Sequence, residues 1–231
     1  EAVKRKIAAA ALEVGRDPAE VTLVAATKVQ TSDTIRQAIA AGITVCGENR
    51  VQEMNAHLDD YAYDGAALHF IGHLQTNKVK YVVGRADMIE SIDSRRLLEA
   101  VEAQAAKLGI VQDILLEINV GGEASKSGAA PEEAMELARL AAELPHIRLR
   151  GLMAIPPAAR IPGENRHFFA EMYHLYVDIR TALDHNGTDM DCLSMGMSGD
   201  YEDAVREGAT HVRVGTALFG PRPPMAKQSQ G

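Results

Sequence analysis

Leu23–Thr27 reads LVAAT and Leu115–Val120 reads LLEINV, two short runs with apolar side chains at both even and odd positions. A strand with one wet face alternates apolar with polar, so runs of this kind predict parallel strands covered on both sides. Working outward, runs of the same type predict eight strands, over 22–26, 43–46, 68–71, 88–92, 114–120, 149–155, 191–195 and 211–214. Longer helical stretches fill the gaps, over 32–41, 50–58, 75–83, 94–108, 131–144, 165–186 and 201–207, and an amphipathic helix over 3–14 precedes the first strand and stops at Gly15. The punctuation agrees. Thr31, Ser32 and Ser94 suit helix N-caps and Pro131 a first helical turn. Gly42, Gly84, Gly109, Gly187 and Gly208 stand where helices should end. Eight strands alternating with helices in 231 residues predict an α/β fold, a single (β/α)8 TIM-type barrel with an extra N-terminal helix, over residues 1–220. An open doubly wound sheet is the alternative, and the count of eight favours the barrel. No linker separates a second domain. Residues 221–231, rich in Pro, Gln and Lys, are expected to be a flexible tail.

The formal net charge is −8, with 46% hydrophobic and 24% charged residues. An acidic chain without a basic stripe argues against nucleic acid and anionic membrane as main partners. A small anionic ligand stays open, because a phosphate is held by local amides and helix dipoles. Cys46 and Cys192 are far apart and form no CxxC, so a reducing, cytoplasmic setting is expected. No apolar run reaches transmembrane length. The chain opens on Glu1 rather than Met, so its true start is expected upstream, and no signal peptide is visible in what is present. A monomer is expected.

In a barrel of this kind, function collects at the C-terminal ends of the strands. Thr27-Lys28 follows the first strand, Gly47-Glu48-Asn49-Arg50 the second and Gly72-His73 the third; Gly196–Asp200 (GMSGD) follows the seventh and Gly215-Thr216 the eighth. Lys28 follows an apolar strand. A desolvated lysine has a more nucleophilic amine suited to Schiff-base chemistry, although position alone leaves a surface lysine equally open. The loops after strands seven and eight are the usual barrel phosphate site. There the amides of Ser198, Gly199, Gly215 and Thr216, with the Ser198 and Thr216 hydroxyls, can cradle a phosphate; two ordinary glycine turns are the alternative. Arg213 lies inside the last strand and needs a partner if it points inward, either an acidic barrel residue such as Glu117 or a ligand. His69 and His73 are four apart, but His69 falls on a strand, so no metal site is expected. Glu48 and Glu53 read as carboxylates flanking a helix start.

Seven segments in order resemble one family: VAATK ending at Lys28, GENRVQE at 47–53, HFIGHLQTNK at 69–78, EASKSG at 123–128, GLMAI at 151–155, SMGMSGDYEDAV at 194–205 and HVRVGTALFG at 211–220. The chain resembles the pyridoxal phosphate homeostasis proteins, related to the barrel domain of alanine racemase. The resemblance implies pyridoxal 5′-phosphate (PLP) as cofactor, a covalent aldimine on Lys28, a phosphate held by Ser198, Gly199, Gly215 and Thr216, Arg213 facing the pyridine nitrogen, and Asn49 and Met153 lining the site. It implies a carrier or regulator of vitamin B6 with no established turnover and no catalytic residues, whose partners are PLP and apo-enzymes that receive it. After Lys28 the chain has Val29-Gln30 where many relatives have Lys-Pro or similar, so no second lysine stands beside the first. A PLP-dependent amino-acid racemase and a cofactor-free Schiff-base aldolase are the competing readings. A racemase needs a second acid–base group, a tyrosine that alanine racemase takes from another domain; the tyrosines here all fall in predicted helices or their flanks.

Overall fold

The computed structural model describes residues 1–123, 126–183 and 190–221. The expected tail beyond Pro221, the last residues of the predicted 165–186 helix, Gly187, and Ala124 and Ser125 lie outside them. Eight parallel strands close into a barrel in chain order: β1 (Thr22–Ala26), β2 (Val45–Glu48), β3 (Ala67–Phe70), β4 (Met88–Ile92), β5 (Gln112–Ile118), β6 (Ile147–Ala154), β7 (Cys192–Ser194) and β8 (His211–Val214). Closure is made by β8 on β1, in register from Thr22 opposite His211 to Ala25 opposite Val214.

The two-sided apolar runs are explained by this closure. Leu23, Ala25, Ile114, Leu116 and Val212 face outward into the main core between barrel and helices, while Leu115, Met88, Met153 and Cys192 form a separate cluster inside the barrel. Each strand therefore buries both of its faces. The outer ring contains α1 (Ala2–Glu13), α2 (Ser32–Ala40), α3 (Val51–Asp59), α4 (Arg95–Leu108), α5 (Ala134–Glu143), α6 (Arg166–Leu183), α7 (Tyr201–Arg206) and the short α8 (Thr216–Phe219). The extra helix α1 buries Val3, Ile7, Ala10 and Ala11 and packs on α7. Thr31 and Ser94 cap α2 and α4 by accepting from Thr34 N and Leu97 N, and Gly109 ends α4 in the left-handed conformation. At the N-terminal end of the barrel, Asp113 accepts from Arg148 Nε (2.6 Å) and Arg150 Nη1 (2.7 Å), and Arg150 pairs in turn with Asp191.

Three expectations need correction. The stretch predicted as a helix over 75–83 is a 3-10 helix at Thr76–Tyr81, since Thr76, Asn77, Val79 and Tyr81 are weak α-helix formers. The 131–144 stretch opens with a 3-10 turn at Pro131–Glu133 before α5 begins. Strand β2 lies two residues later than its apolar run, so Gly47 and Glu48 are strand residues. Glycine and glutamate are poor strand formers, and tertiary packing overrides that preference. A Cβ on Gly47 would lie 2.8 Å from Ile71 Cδ1 and 3.0 Å from Val24 Cγ1, so any larger residue would have to displace these side chains in the barrel wall.

The β5–β6 register slips between Ile114 and Leu115, and Gly151 pairs with Leu115 on the far side of the slip. Its φ is +150°, and a Cβ there would lie 1.7 Å from the Cys192 carbonyl oxygen. Gly151→Ala is expected to destabilise the protein by about 3 kcal/mol or more, through combined strain and overlap with backbone that cannot give way. Urea denaturation followed by circular dichroism checks this; a parent-like midpoint would mean that the slip is not fixed by this glycine.

Candidate functional site

Lys28 stands two residues beyond the end of β1, half-buried, on a turn where Gln30 N donates to Thr27 O (3.0 Å). It lines a cavity of about 230 Å³ at the C-terminal rim of the barrel, together with Asn49, Ser198, Gly199, Arg213, Gly215 and Thr216. Ala26, Ile71 and Ile155 supply apolar walls. Seven of the eight residues proposed from sequence thus surround one cavity. The eighth, Met153, is not among the lining residues: it is fully buried inside the barrel against Met88, Leu115 and Cys192, and Ile155, two residues further along, reaches the cavity instead.

Asn49 follows β2, and the loop after β3 presses against it. A Cβ on Gly72 would sit 2.2 Å from Asn49 O, so glycine is what lets the two loops touch. The side-chain oxygen Asn49 Oδ1 is buried and has no hydrogen-bond partner. A buried acceptor without a donor is costly, and Asn49 is among the residues that line the cavity.

The loops after β7 and β8 meet through Ser198, whose Oγ accepts from Gly215 N (3.2 Å) and Ala217 N (3.3 Å). Two backbone amides therefore converge on one oxygen, at the rim where Thr216 begins α8. Asp200 fixes the Gly196–Asp200 loop. Its Oδ1 accepts from Met197 N (2.7 Å) and its Oδ2 from Asn165 Nδ2 (2.8 Å), with the same Asn165 amide also donating to Pro157 O (2.8 Å).

Arg213 points inward and is 4% exposed. Its Nη1 donates to Ser194 Oγ (2.6 Å) and its Nη2 to Ala154 O (2.8 Å). Ser194 Oγ donates to Glu90 Oε2 (2.6 Å), and Glu90 Oε1 accepts from His69 Nδ1 (2.6 Å). The carboxylate nearest to Arg213 is Glu90, at 3.9 Å, and not Glu117, which forms no ion pair with it. Burial pushes the Glu90 carboxyl up, but the His69 hydrogen bond and the charges of His69 and Arg213 outweigh it and hold the group at about 2. Burial pushes Arg213 down, with Glu90 the foremost opposing charge. His211, stacked on His69 with ring centroids 6.1 Å apart, is lowered by burial to about 4 and stays neutral.

His69 and His73 do not come together. His69 is locked inside the barrel, whereas His73 is exposed, with its Nδ1 3.1 Å from Ser127 Oγ and 3.5 Å from Asp93 Oδ2. Among the described residues, no group of three His, Cys, Asp or Glu side chains is arranged to hold a metal ion. Glu48 does not flank a helix start but lies buried in β2, while Glu53 is in the first turn of α3 as expected. Among the described residues no helix is long and apolar enough to cross a membrane.

The arrangement gathers a lysine, an asparagine, a buried arginine and the junction of two glycine-bearing loops around one small cavity. The sequence profile of the family described as "Alanine racemase, N-terminal domain" matches residues 5–223. A pyridoxal phosphate homeostasis protein of Aquifex aeolicus is 41% identical over 224 residues, covering 95% of each chain. The chain belongs to the pyridoxal phosphate homeostasis protein family. The member from Escherichia coli K12 is 40% identical over 223 residues, covering 95% of this chain and 94% of its own. Among solved structures, PipY of Synechococcus elongatus with PLP bound superposes with a TM-score of 0.81 at 32% identity, covering 94% of this chain and all of that one. Within this family fold, the Glu90–Ser194–Arg213 chain is what reading the sequence missed. Glu90 lies in β4 beside Ser91, and only the barrel register brings it to Arg213.

Glu117 is the interior carboxyl that titrates in an accessible range. Burial raises it to about 7, Asp93 adds to the rise and Arg213 opposes it. The folded form then binds a proton that the unfolded chain releases above about 4.5, so this residue costs stability progressively as pH rises from about 4.5 to 7. Glu117→Gln is expected to raise stability at pH above 7, by on the order of 2–3 kcal/mol, and to have little effect below the unfolded value. Thermal melts of the cofactor-free protein at several pH values check this; a gain independent of pH would contradict it.

Proposed function

We propose that the protein binds pyridoxal 5′-phosphate covalently through Lys28 and acts as a carrier and regulator of that cofactor rather than as an enzyme. The observation that carries this reading is the convergence on one cavity of Lys28, Asn49, Arg213 and the two loops that meet where Gly215 N donates to Ser198 Oγ. These groups fit PLP in kind. The amides suit a phosphate oxygen, which accepts charge-assisted bonds about twice as strong as those to the neutral Ser198 hydroxyl. The phenolic group of the cofactor suits Asn49, and Ile71 and Ile155 suit the faces of an aromatic ring. When bound, the cofactor supplies an aldehyde, with which an amine condenses to a C=N bond with loss of water.

The rest of the site binds and orients. Arg213, fixed by Ser194 and the Ala154 carbonyl, presents a cation that does not give up its proton. Facing the pyridine nitrogen of a bound cofactor, it would keep that nitrogen unprotonated and make the ring a weaker electron sink. This favours holding the cofactor for apo-enzymes over transforming amino acids. The family names of the relatives, which speak of homeostasis and not of a reaction, support the same reading. Two-sided proton transfer needs an acid–base group opposite the lysine, and no tyrosine among the described residues lines the cavity. Domain extent over 1–220, a monomeric state and a cytoplasmic location accompany this proposal.

Borohydride reduction of the PLP-loaded protein and peptide mass analysis are expected to place the pyridoxyl mass on Lys28. Label on Lys78 or Lys126 instead would overturn the attachment. Pyridoxal lacking the phosphate is expected to bind at least about tenfold more weakly, since each charge-assisted bond contributes roughly 1.5–3 kcal/mol. Equal affinities by equilibrium dialysis would mean that the glycine loops are only turns. The competing racemase reading predicts rapid α-deuteration with inversion of L-alanine in deuterated water, abolished by Lys28→Ala; the carrier reading predicts neither.

A further inference from the structure

We infer that Glu48 and Glu53, neither of which touches the cavity, are positioning residues that set the backbone of Lys28 from both sides. The inference rests on reading the cavity as a PLP site. Lys28 lies between two residues that are each held by a carboxylate from the segment 47–53. On the N-terminal side, Thr27 is fully buried; its N donates to Gly47 O (2.9 Å), and its Oγ1 lies 3.2 Å from Gly47 O and 3.4 Å from Glu48 Oε2. On the C-terminal side, Val29 N donates to Glu53 Oε2 (3.2 Å). Glu53 is itself fixed by Arg50, whose Nη1 lies 3.0 Å from Oε1.

Two features show that this is more than helix-start chemistry. The first is the backbone of Val29, at φ +60°. A β-branched residue in the left-handed region is a true outlier, and such strain persists only where the surroundings over-determine it, most often at ligand sites. The amide that holds this conformation is the one given to Glu53. The second is Glu48, 0% exposed and without a cationic partner among the described ion pairs. Its oxygens take Asn49 N (2.8 Å), Tyr63 OH (3.3 Å) and the Thr27 hydroxyl. Two of its donors belong to the residue before Lys28 and to Asn49, so one buried group ties the amine side of the cavity to its amide side. Burial drives Glu48 upward, and its backbone and hydroxyl donors oppose this.

The test uses the full chain as Thr27→Val, Glu53→Ala and Glu53→Gln, which leave the cavity lining intact and spare Glu48, whose replacement endangers folding. Two quantities are read: the rate at which PLP becomes attached to Lys28, followed by visible absorbance and confirmed by borohydride labelling, and the exchange rate of the Val29 amide in cofactor-free protein. Thr27→Val and Glu53→Ala are each expected to slow attachment about tenfold, as small misplacements of reacting groups do, while Glu53→Gln stays within about twofold of the parent because its amide oxygen still accepts from Val29 N. Val29 exchange should quicken in Glu53→Ala and return in Glu53→Gln. Parent-like attachment in both Thr27→Val and Glu53→Ala, or unchanged Val29 exchange in Glu53→Ala, would overturn the inference. A parent protein labelled somewhere other than Lys28 would instead sink the PLP reading, and the exchange comparison would still decide whether Glu53 sets this backbone.

Discussion

The hydrogen-bonded chain from His69 through Glu90 and Ser194 to Arg213 crosses the inside of the barrel, and the site above depends on it. Its members come from β3, β4, β7 and β8, so it can form only when the barrel has closed in the observed register. A guanidinium at 4% exposure would be prohibitive alone. Here every bond has a donor and an acceptor, and Glu90 supplies the opposite charge. In return, the barrel presents a fixed cation at its mouth that needs no solvent to remain charged.

Facing the ring of a bound cofactor, that fixed cation would bear on how readily the ring accepts electrons. A pyridine ring draws electrons from a neighbouring carbanion best when its nitrogen carries a proton, and an arginine facing it withholds one. The rest of the rim is held by short-range ties: the loops after β7 and β8 meet at Ser198 Oγ, and the segments that carry Lys28 and Asn49 are joined through Glu48. The barrel interior is thus polar where most such barrels are aliphatic, and the apolar cluster of Met88, Leu115, Met153 and Cys192 fills only part of it.

The barrel was legible in the sequence because burial on both faces leaves a plain trace in runs such as LVAAT and LLEINV, and β1, β4 and β8 lie where those runs predict. Lys28, Arg213 and the two glycine loops were legible because each follows or ends a strand, and chain order alone carries them to one rim. Other features rest on distances that no local pattern encodes. Glu90 sits in β4, 104 residues from its partner Ser194. Glu48 looked like a loop residue because glycine and glutamate disfavour strands, yet β2 is set by its neighbours rather than by its own propensity. Met153 was placed at the site by resemblance, but it is buried with Met88, Leu115 and Cys192, and Ile155, two residues further along, lines the cavity.

The account stands or falls on a charged Arg213 at the ring nitrogen of a cofactor held by Lys28. The ¹⁵N resonance of pyridine-labelled pyridoxal phosphate bound to the protein at neutral pH measures this directly. The account predicts the shift of an unprotonated pyridine nitrogen, moving when Arg213 is replaced by a residue that can protonate it. A protonated shift in the parent protein would contradict it, and would mean that the site is an electron sink prepared for catalysis.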